Sequence, residues 1–343
     1  MQNMNIHILA IESSCDDTSC AVLRGNKVLS NETANQKIHA EYGGVVPELA
    51  SRDHQKNIIP VIDIALKNAG VSLESIEAIA VTRGPGLLGS LLVGLSTAQS
   101  MALALNIPLI EVDHMQAHIL AHFIDDVTQT IPDLPLLCLT VSGGHTQLVV
   151  VKEDYSFELI GETLDDAVGE AFDKAAKLLG LPYPGGPIID KLSQLGDSER
   201  FKWSKPNIPN FDYSFSGVKT AFLYWLNDNK KNDEDFIEKN INDICASYQR
   251  HLCSILIKNL EAAVGKYKFK QIALAGGVSA NSELRRQFLG LAKKLDIKAH
   301  LPNFAYCTDN AAMIGIAGLV KYMNKDFTNL GISPKTTHSF CRS

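Results

Sequence analysis

At 343 residues, 45% of them hydrophobic and 20% charged, the chain is too long for one ordinary core and short for three, so a fully folding protein of two lobes is expected. A net charge of −6 argues against a chain that grips nucleic acid through a broad basic surface; a nucleic-acid substrate needs a local patch or a helper protein. Met1 to His7 lack a basic region followed by an apolar core, and the seven cysteines at 15, 20, 138, 245, 253, 307 and 341 form no CxxC pair. No secretory leader, disulfide framework or zinc ribbon is expected, and a cytoplasmic location follows as the default.

In chain order, Ile6 to Ile11 reads as a strand, Glu12 to Thr18 as a polar turn and Ser19 to Leu23 as a second strand. Asn31 to Pro60 reads as an insertion. Ile79 to Val81 runs as a strand into Gly84-Pro85-Gly86 and a helix. The longest apolar stretch, Leu87 to Ile110, is broken by glycine and polar residues such as Gly94, Gln99 and Asn106, and reads as a buried helix rather than a membrane span.

Pro108 to Val112 is the next strand, and Asp113 to His122, free of glycine and proline, has helical composition. His114, His118 and His122 then share one face, and two imidazoles four residues apart on a helix bind one divalent metal through neutral nitrogens. The bland alternative is a pair of packing or capping histidines. Met115 stands where a hydrolytic HExxH motif needs its glutamate, so peptide hydrolysis loses its base. A third ligand must come from elsewhere: Asp309, just before the last helix (Ala311 to Tyr322), is the candidate, with an N-cap as the alternative.

The polar stretch Asp125 to Pro135 reads as the lobe boundary, and beyond it the pattern repeats. Leu136 to Val141, the turn Ser142-Gly143-Gly144-His145-Thr146 and Leu148 to Val151 echo the opening strand, turn and strand. Ile272 to Leu274 with Gly276-Gly277-Val278 echoes Ile79 to Val81 with its glycine turn. The fold expected is therefore α/β, a duplicated unit with residues 1–131 and 308–343 in the first lobe and 132–307 in the second, the latter carrying an insertion at about 161–219. Glycine turns at strand ends let backbone N–H groups approach an anion, so Ser142-Gly143-Gly144 and Gly276 to Asn281 are candidate nucleotide cradles, a hairpin turn and an N-cap being the alternatives. Arg200, Lys202, Trp203, Lys205, Tyr213 and Lys219 form the best local basic and aromatic patch for RNA, or else a solvated loop.

Ile11 to Thr18, Gly43 to Glu48, Gly84 to Leu87, His114 to His118, Val141 to Thr146, Glu170 to Lys174, Pro184 to Pro187 and Gly276 to Asn281, taken in order, closely resemble the TsaD family of tRNA threonylcarbamoyladenosine biosynthesis. The resemblance runs nearly end to end. It implies the ribonuclease-H-like two-lobed fold of actin, hexokinase and acetate kinase (the ASKHA fold) with a central nucleotide cleft. It also implies transfer of threonylcarbamoyl from L-threonylcarbamoyladenylate (threonylcarbamoyl-AMP) to N6 of adenosine 37, in tRNAs reading codons that begin with A, with AMP released. By position it assigns His114, His118 and Asp309 to a metal, usually Fe2+, although such ligands also accept zinc or manganese. Thr140, Val141, Ser142, Gly143 and Gly144 would line the phosphate and acyl region, and Asp173, Gly186, Asp190 and Asn281 the ribose and adenine. Asp16 or Asp17 is the candidate general base. Thr140 stands where archaeal and eukaryotic relatives carry a tyrosine, which gives the chain a bacterial character.

The partners implied are tRNA, a TsaB-like paralogue on the first lobe, a TsaE-like ATPase and a threonylcarbamoyl-AMP synthase that supplies the intermediate, with no membrane involved. The rival enzyme reading is an ATP-dependent phosphotransferase of the acetate and sugar kinase class. A nucleotide-switched binding module without catalysis would leave the histidines without a role.

Overall fold

The computed structural model describes residues 5–36, 39, 42–204, 208–337 and 340–342. The chain divides into two units, Met1–Pro132 with Pro302–Phe340, and Asp133–Leu301 with Cys341–Ser343.

In the first unit, β1 (His7–Glu12) pairs antiparallel with β2 (Thr18–Arg24), which pairs with β3 (Lys27–Ala34). β4 (Ala78–Gly84) and β5 (Leu109–Asp113) extend the sheet in parallel, giving the order β3-β2-β1-β4-β5. The two-residue side-chain period of a strand sends Leu9 and Ile11 to one face, into a core with Ile58 and Ile62 of α1 (Pro47–Ala69) and Leu95 and Ala98 of α2 (Leu88–Leu105). The opposite face meets α9 (Ala311–Met323), where Gly315 backs onto Leu23 and Gly318 onto Ala80 too closely for any side chain.

Two expectations are corrected here. Residues 31–60 are no insertion: they hold the end of β3 and the first half of α1, which runs straight through Pro60. A proline reads as a stop because it lacks the N–H of the helix ladder, yet packing of the apolar stripe from Ile58 to Ala65 carries the helix on. Nor is α2 wholly buried. It is long and apolar enough to cross a membrane, but Ser90, Leu91, Gly94, Leu95, Ala98 and Ala102 form its packed stripe, while Leu88, Leu92 and Leu103 face solvent.

The second unit repeats the plan. β6 (Leu136–Val141), β7 (Thr146–Val151) and β8 (Phe157–Glu162) form an antiparallel meander, and β9 (Gln271–Ala275) and β10 (Lys298–His300) add in parallel on the other side of β6. The order β8-β7-β6-β9-β10 matches that of the first sheet strand for strand. The tail strand β11 (Cys341–Arg342) pairs in parallel with β8, so the last residues belong to this unit and not, as expected, to the first. α4 (Val168–Leu178), α5 (Gly185–Ser193), α6 (Ser216–Asn232), α7 (Phe236–Tyr267) and α8 (Ser282–Leu295) complete the unit, with Phe172, Phe222, Tyr248 and Phe288 buried in its core.

Candidate metal centre and nucleotide site

Strand β5 ends at Asp113, whose carboxylate accepts the backbone N–H groups of Met115 (2.9 Å) and Gln116 (3.1 Å) and so starts α3 (His114–Leu120). That cap fixes the helix phase, placing His114 and His118 one turn apart on one face. After Leu120 the backbone tightens into a 3-10 turn, Ala121–Phe123; His122 falls in this turn and outside the cluster, contrary to the expectation of three histidines on one face. Before α9, Asn310 rather than Asp309 is the N-cap, its side chain accepting from Met313 N at 3.0 Å. Asp309 is thereby left to the histidines.

The Nε2 atoms of His114 and His118 lie 3.2 Å apart, and each lies 3.3 Å from Oδ1 of Asp309. Ligand atoms at about 2.0–2.2 Å from one ion stand roughly 3.0 to 3.5 Å from one another, so this triangle has the dimensions of a metal face. The residues fit a divalent ion. Nδ1 of His114 faces Oε2 of Glu12 at 3.0 Å and Ser14 Oγ at 3.2 Å, which turns Nε2 toward the triangle. Glu12 is fully buried at the end of β1 and also accepts from Ser14 N (2.5 Å) and Thr82 Oγ1 (2.6 Å). Its role is not legible from sequence, where it reads as the first polar residue of a turn.

Electrostatics agree with a cation site. Burial alone would lower His114, but the Asp309 and Glu12 carboxylates override it and hold the imidazole well above the usual histidine range. Burial raises Asp309 and Glu12, yet His114 outweighs it and keeps both below the usual carboxylate range. His118 is pushed down by burial against its bond to Asp309. A proton on His114 therefore does part of what a bound cation does. In the adjoining turn, Asp17 is raised to about 6 by burial, which outweighs the Asn35 amide 2.7 Å from its Oδ1; Asp16 is half-buried beside it.

In the second unit, Thr140 to Gly144 lie at the end of β6 and Gly276 to Asn281 follow β9, while Asp173 lies on α4 and Gly186 and Asp190 on α5. Thr140 and Val141 end β6, buried, and Ser142-Gly143-Gly144 closes a turn with Ser142 N donating to His145 O at 2.8 Å. A Cβ on Gly143 or Gly144 would meet nothing, so that face of the turn is open. Gly276, at φ 84° and against the Val141 carbonyl, admits no side chain. Asp173 of α4 accepts Gly185 N (2.8 Å) and Gly186 N (3.3 Å), holding the start of α5 and pushed up by burial against those bonds. One turn beyond Gly186, Asp190 accepts from Ser282 Oγ at 2.6 Å. Asn281 caps α8 through Leu284 N at 2.9 Å, as the capping alternative had it.

One residue unforeseen in the sequence joins these last two: Gln249 of α7 donates to Asp190 Oδ1 at 2.9 Å and accepts from Asn281 Nδ2 at 2.8 Å. The basic and aromatic patch, by contrast, does not hold together. Tyr213 is fully buried and stacks on Phe215, Arg200 pairs with Asp243, Trp203 packs edge-on to Phe222, and Lys205 lies outside the described residues.

Two sheets of one strand order, each with its apolar helices, define the ribonuclease-H-like fold shared by hexokinase and its kin. Solved structures agree at fold level: HypF of T. kodakarensis has a TM-score of 0.62 at 13% identity, covering 94% of this chain and 48% of that one. The ROK hexokinase from Thermus thermophilus has a TM-score of 0.52 at 14% identity, covering 94% and 99%. The family model "TsaD: tRNA N6-adenosine threonylcarbamoyltransferase" matches residues 27–316, and the chain belongs to that family. The tRNA N6-adenosine threonylcarbamoyltransferase of Christiangramia forsetii is 56% identical over 340 residues, 99% of this chain and 100% of that protein. The protein of the same name from Porphyromonas gingivalis is 53% identical over 332 residues, 96% and 97% of the two chains.

Proposed function

We propose that this chain is a tRNA N6-adenosine threonylcarbamoyltransferase, taking the group from L-threonylcarbamoyladenylate to adenosine 37 of tRNAs that read codons beginning with A. The observation that carries the reading is the His114, His118 and Asp309 triangle backed by Glu12, in a chain whose full-length relatives bear this enzyme name. A phosphotransferase of the acetate and sugar kinase class is not favoured: it shares the fold but has no use for the triangle.

Transfer forms a bond from adenosine N6 to the carbamoyl carbon and breaks the bond from that carbon to the phosphate oxygen. AMP leaves with the electron pair, and the amine gives up one proton. Asp17, raised to about 6, has the basicity to take that proton near neutral pH, with Asp16 beside it. The open turn Thr140 to Gly144 would hold the phosphate and acyl part of the donor through backbone N–H groups. Asp173, Gly186, Asp190 and Asn281 would hold its ribose and adenine; of Asn281's two amide hydrogens, one goes to Gln249 and one remains to give. Fe2+, or zinc or manganese in its place, would be held by His114, His118 and Asp309. Once bound, it supplies Lewis acidity and a point of orientation for the threonylcarbamoyl carbonyl.

As partners we propose tRNA, a threonylcarbamoyl-AMP synthase that feeds the donor, a TsaE-like ATPase and a TsaB-like paralogue. Leu88, Leu92 and Leu103 of α2 and Ile59 of α1, all exposed, give the last of these an apolar face on the first unit. A cytoplasmic location goes with a tRNA substrate. Incubated with tRNA, threonine, bicarbonate, ATP, the synthase and both helpers, the wild-type chain should yield threonylcarbamoyladenosine on nucleoside mass spectrometry, and H114A/H118A at most a small fraction of it. An equal yield from the double variant would sink the role given to the triangle.

A further inference from the structure

The second unit contains a cavity of about 490 Å³ that is lined by none of the residues assigned to the metal centre or the donor site, although Lys202 and Trp203 of the sequence-read RNA patch border it. Arg250 of α7 and Arg286 and Gln287 of α8 form its helical walls, and Ser198, Lys202 and Trp203 come from the segment leading to α6. Donors dominate the lining. Three cationic side chains face two carboxylates: Glu199, 2.5 Å from Arg250 Nη2 and 3.7 Å from Lys202 Nζ, and Glu283, which takes Nε and Nη2 of Arg286 at 2.7 and 2.6 Å. His251 also borders the space.

These ion pairs do not use up the cations. The Arg250 and Arg286 side chains are 41% and 62% exposed, so each guanidinium can turn part of its five-donor fork to a second anion. The Trp203 ring, held edge-on by Trp225 at 5.1 Å and Phe222 at 5.6 Å, forms a fixed part of the wall. Forked cations around a cavity of ligand size ask for one class of guest, a group with several anionic oxygens.

We propose that this cavity is a phosphate-binding site, separate from the donor-binding residues, that takes a phosphate ester in reach of Arg250, Arg286 and Lys202. Two sources carry that chemistry: a backbone phosphate of the tRNA, which a chain of net charge −6 must capture locally, or a free mononucleotide such as AMP. The inference draws on the proposed function only in naming tRNA as the RNA.

The test is binding by the full-length chain, wild type against R286A and R250A/R286A, with melting temperatures to confirm folding. tRNA affinity is measured as a function of KCl by filter binding, and AMP or inorganic phosphate by quenching of tryptophan fluorescence. If the tRNA backbone is the guest, the double variant binds tRNA roughly tenfold more weakly, and its log–log salt slope falls by about 1 per lost phosphate contact. If a free nucleotide is the guest, quenching by AMP and phosphate is lost while the tRNA slope stays. Wild-type values for both ligands in folded variants overturn the site. Neither assay needs turnover, so a failure of the proposed reaction would show separately, as wild-type chain that makes no modified nucleoside.

Discussion

Glu12 is the residue on which the centre turns. One of its oxygens accepts from Ser14 N, the other from Thr82 Oγ1 and faces His114 Nδ1, so a glutamine cannot satisfy all three partners. With its amide nitrogen on one side it meets the Ser14 N–H donor to donor; on the other it makes His114 Nδ1 an acceptor, moves the imidazole proton to Nε2 and blocks the ligating nitrogen. E12Q should therefore lower metal affinity by roughly 10–100-fold in a chain that still folds. Metal content after dialysis against graded chelator measures this, and retention equal to wild type would contradict the role. Asp17 makes a second prediction. Because burial raises it to about 6, it is ionised above that pH and protonated below, so turnover limited by proton removal should climb through about pH 6. The sign for stability is opposite: the group holds its proton more tightly folded than unfolded, so its ionisation weakens the fold as pH rises from the usual carboxylate range toward 6. D17N should lose the limb in the pH profile; an unchanged profile would move the base elsewhere.

At the scale of elements, glycines divide into two kinds that a stability assay separates. A Cβ on Gly94 of α2 would run into Ser13 Oγ, the hydroxyl that donates to Ser90 O at 2.9 Å and ties α2 to the turn after β1. A Cβ on Gly143 would meet nothing. G94A should then cost about 1–3 kcal/mol in denaturant unfolding and reduce activity with it, whereas G143A should leave stability unchanged and weaken binding of the adenylate donor. Loss of stability in G143A, or undiminished donor binding, would remove the turn from the phosphate cradle.

Legibility follows from what local sequence encodes. Period-two apolar runs and glycine turns announced β1, β2, β4, β6, β7 and β9, and the spacing of His114 and His118 was readable because Asp113 caps a helix of ordinary phase. Features set by tertiary packing were not readable. Pro60 looked like a boundary inside α1, the exposed Leu88, Leu92 and Leu103 looked like core, and Gln249 looked like any polar residue of a 32-residue helix. Tyr213 looked like a stacking platform until its burial against Phe215.

For the whole molecule, one sheet order stands behind two different candidate sites. The candidate site residues follow the carboxyl ends of strands, β1 and β5 in the first unit and β6 and β9 in the second, where helix starts and open backbone are found. The first unit filled that place with imidazoles and carboxylates, the second with glycines and small polar side chains. Kinases of this fold move phosphate, so the account stands on which bond breaks. Chain, helpers and unmodified tRNA should be given L-threonylcarbamoyladenylate labelled in the threonine, and label in tRNA nucleosides followed against AMP released. The account predicts one labelled threonylcarbamoyladenosine for each AMP. AMP release without label in tRNA, or label transfer that survives H114A/H118A undiminished, would contradict it.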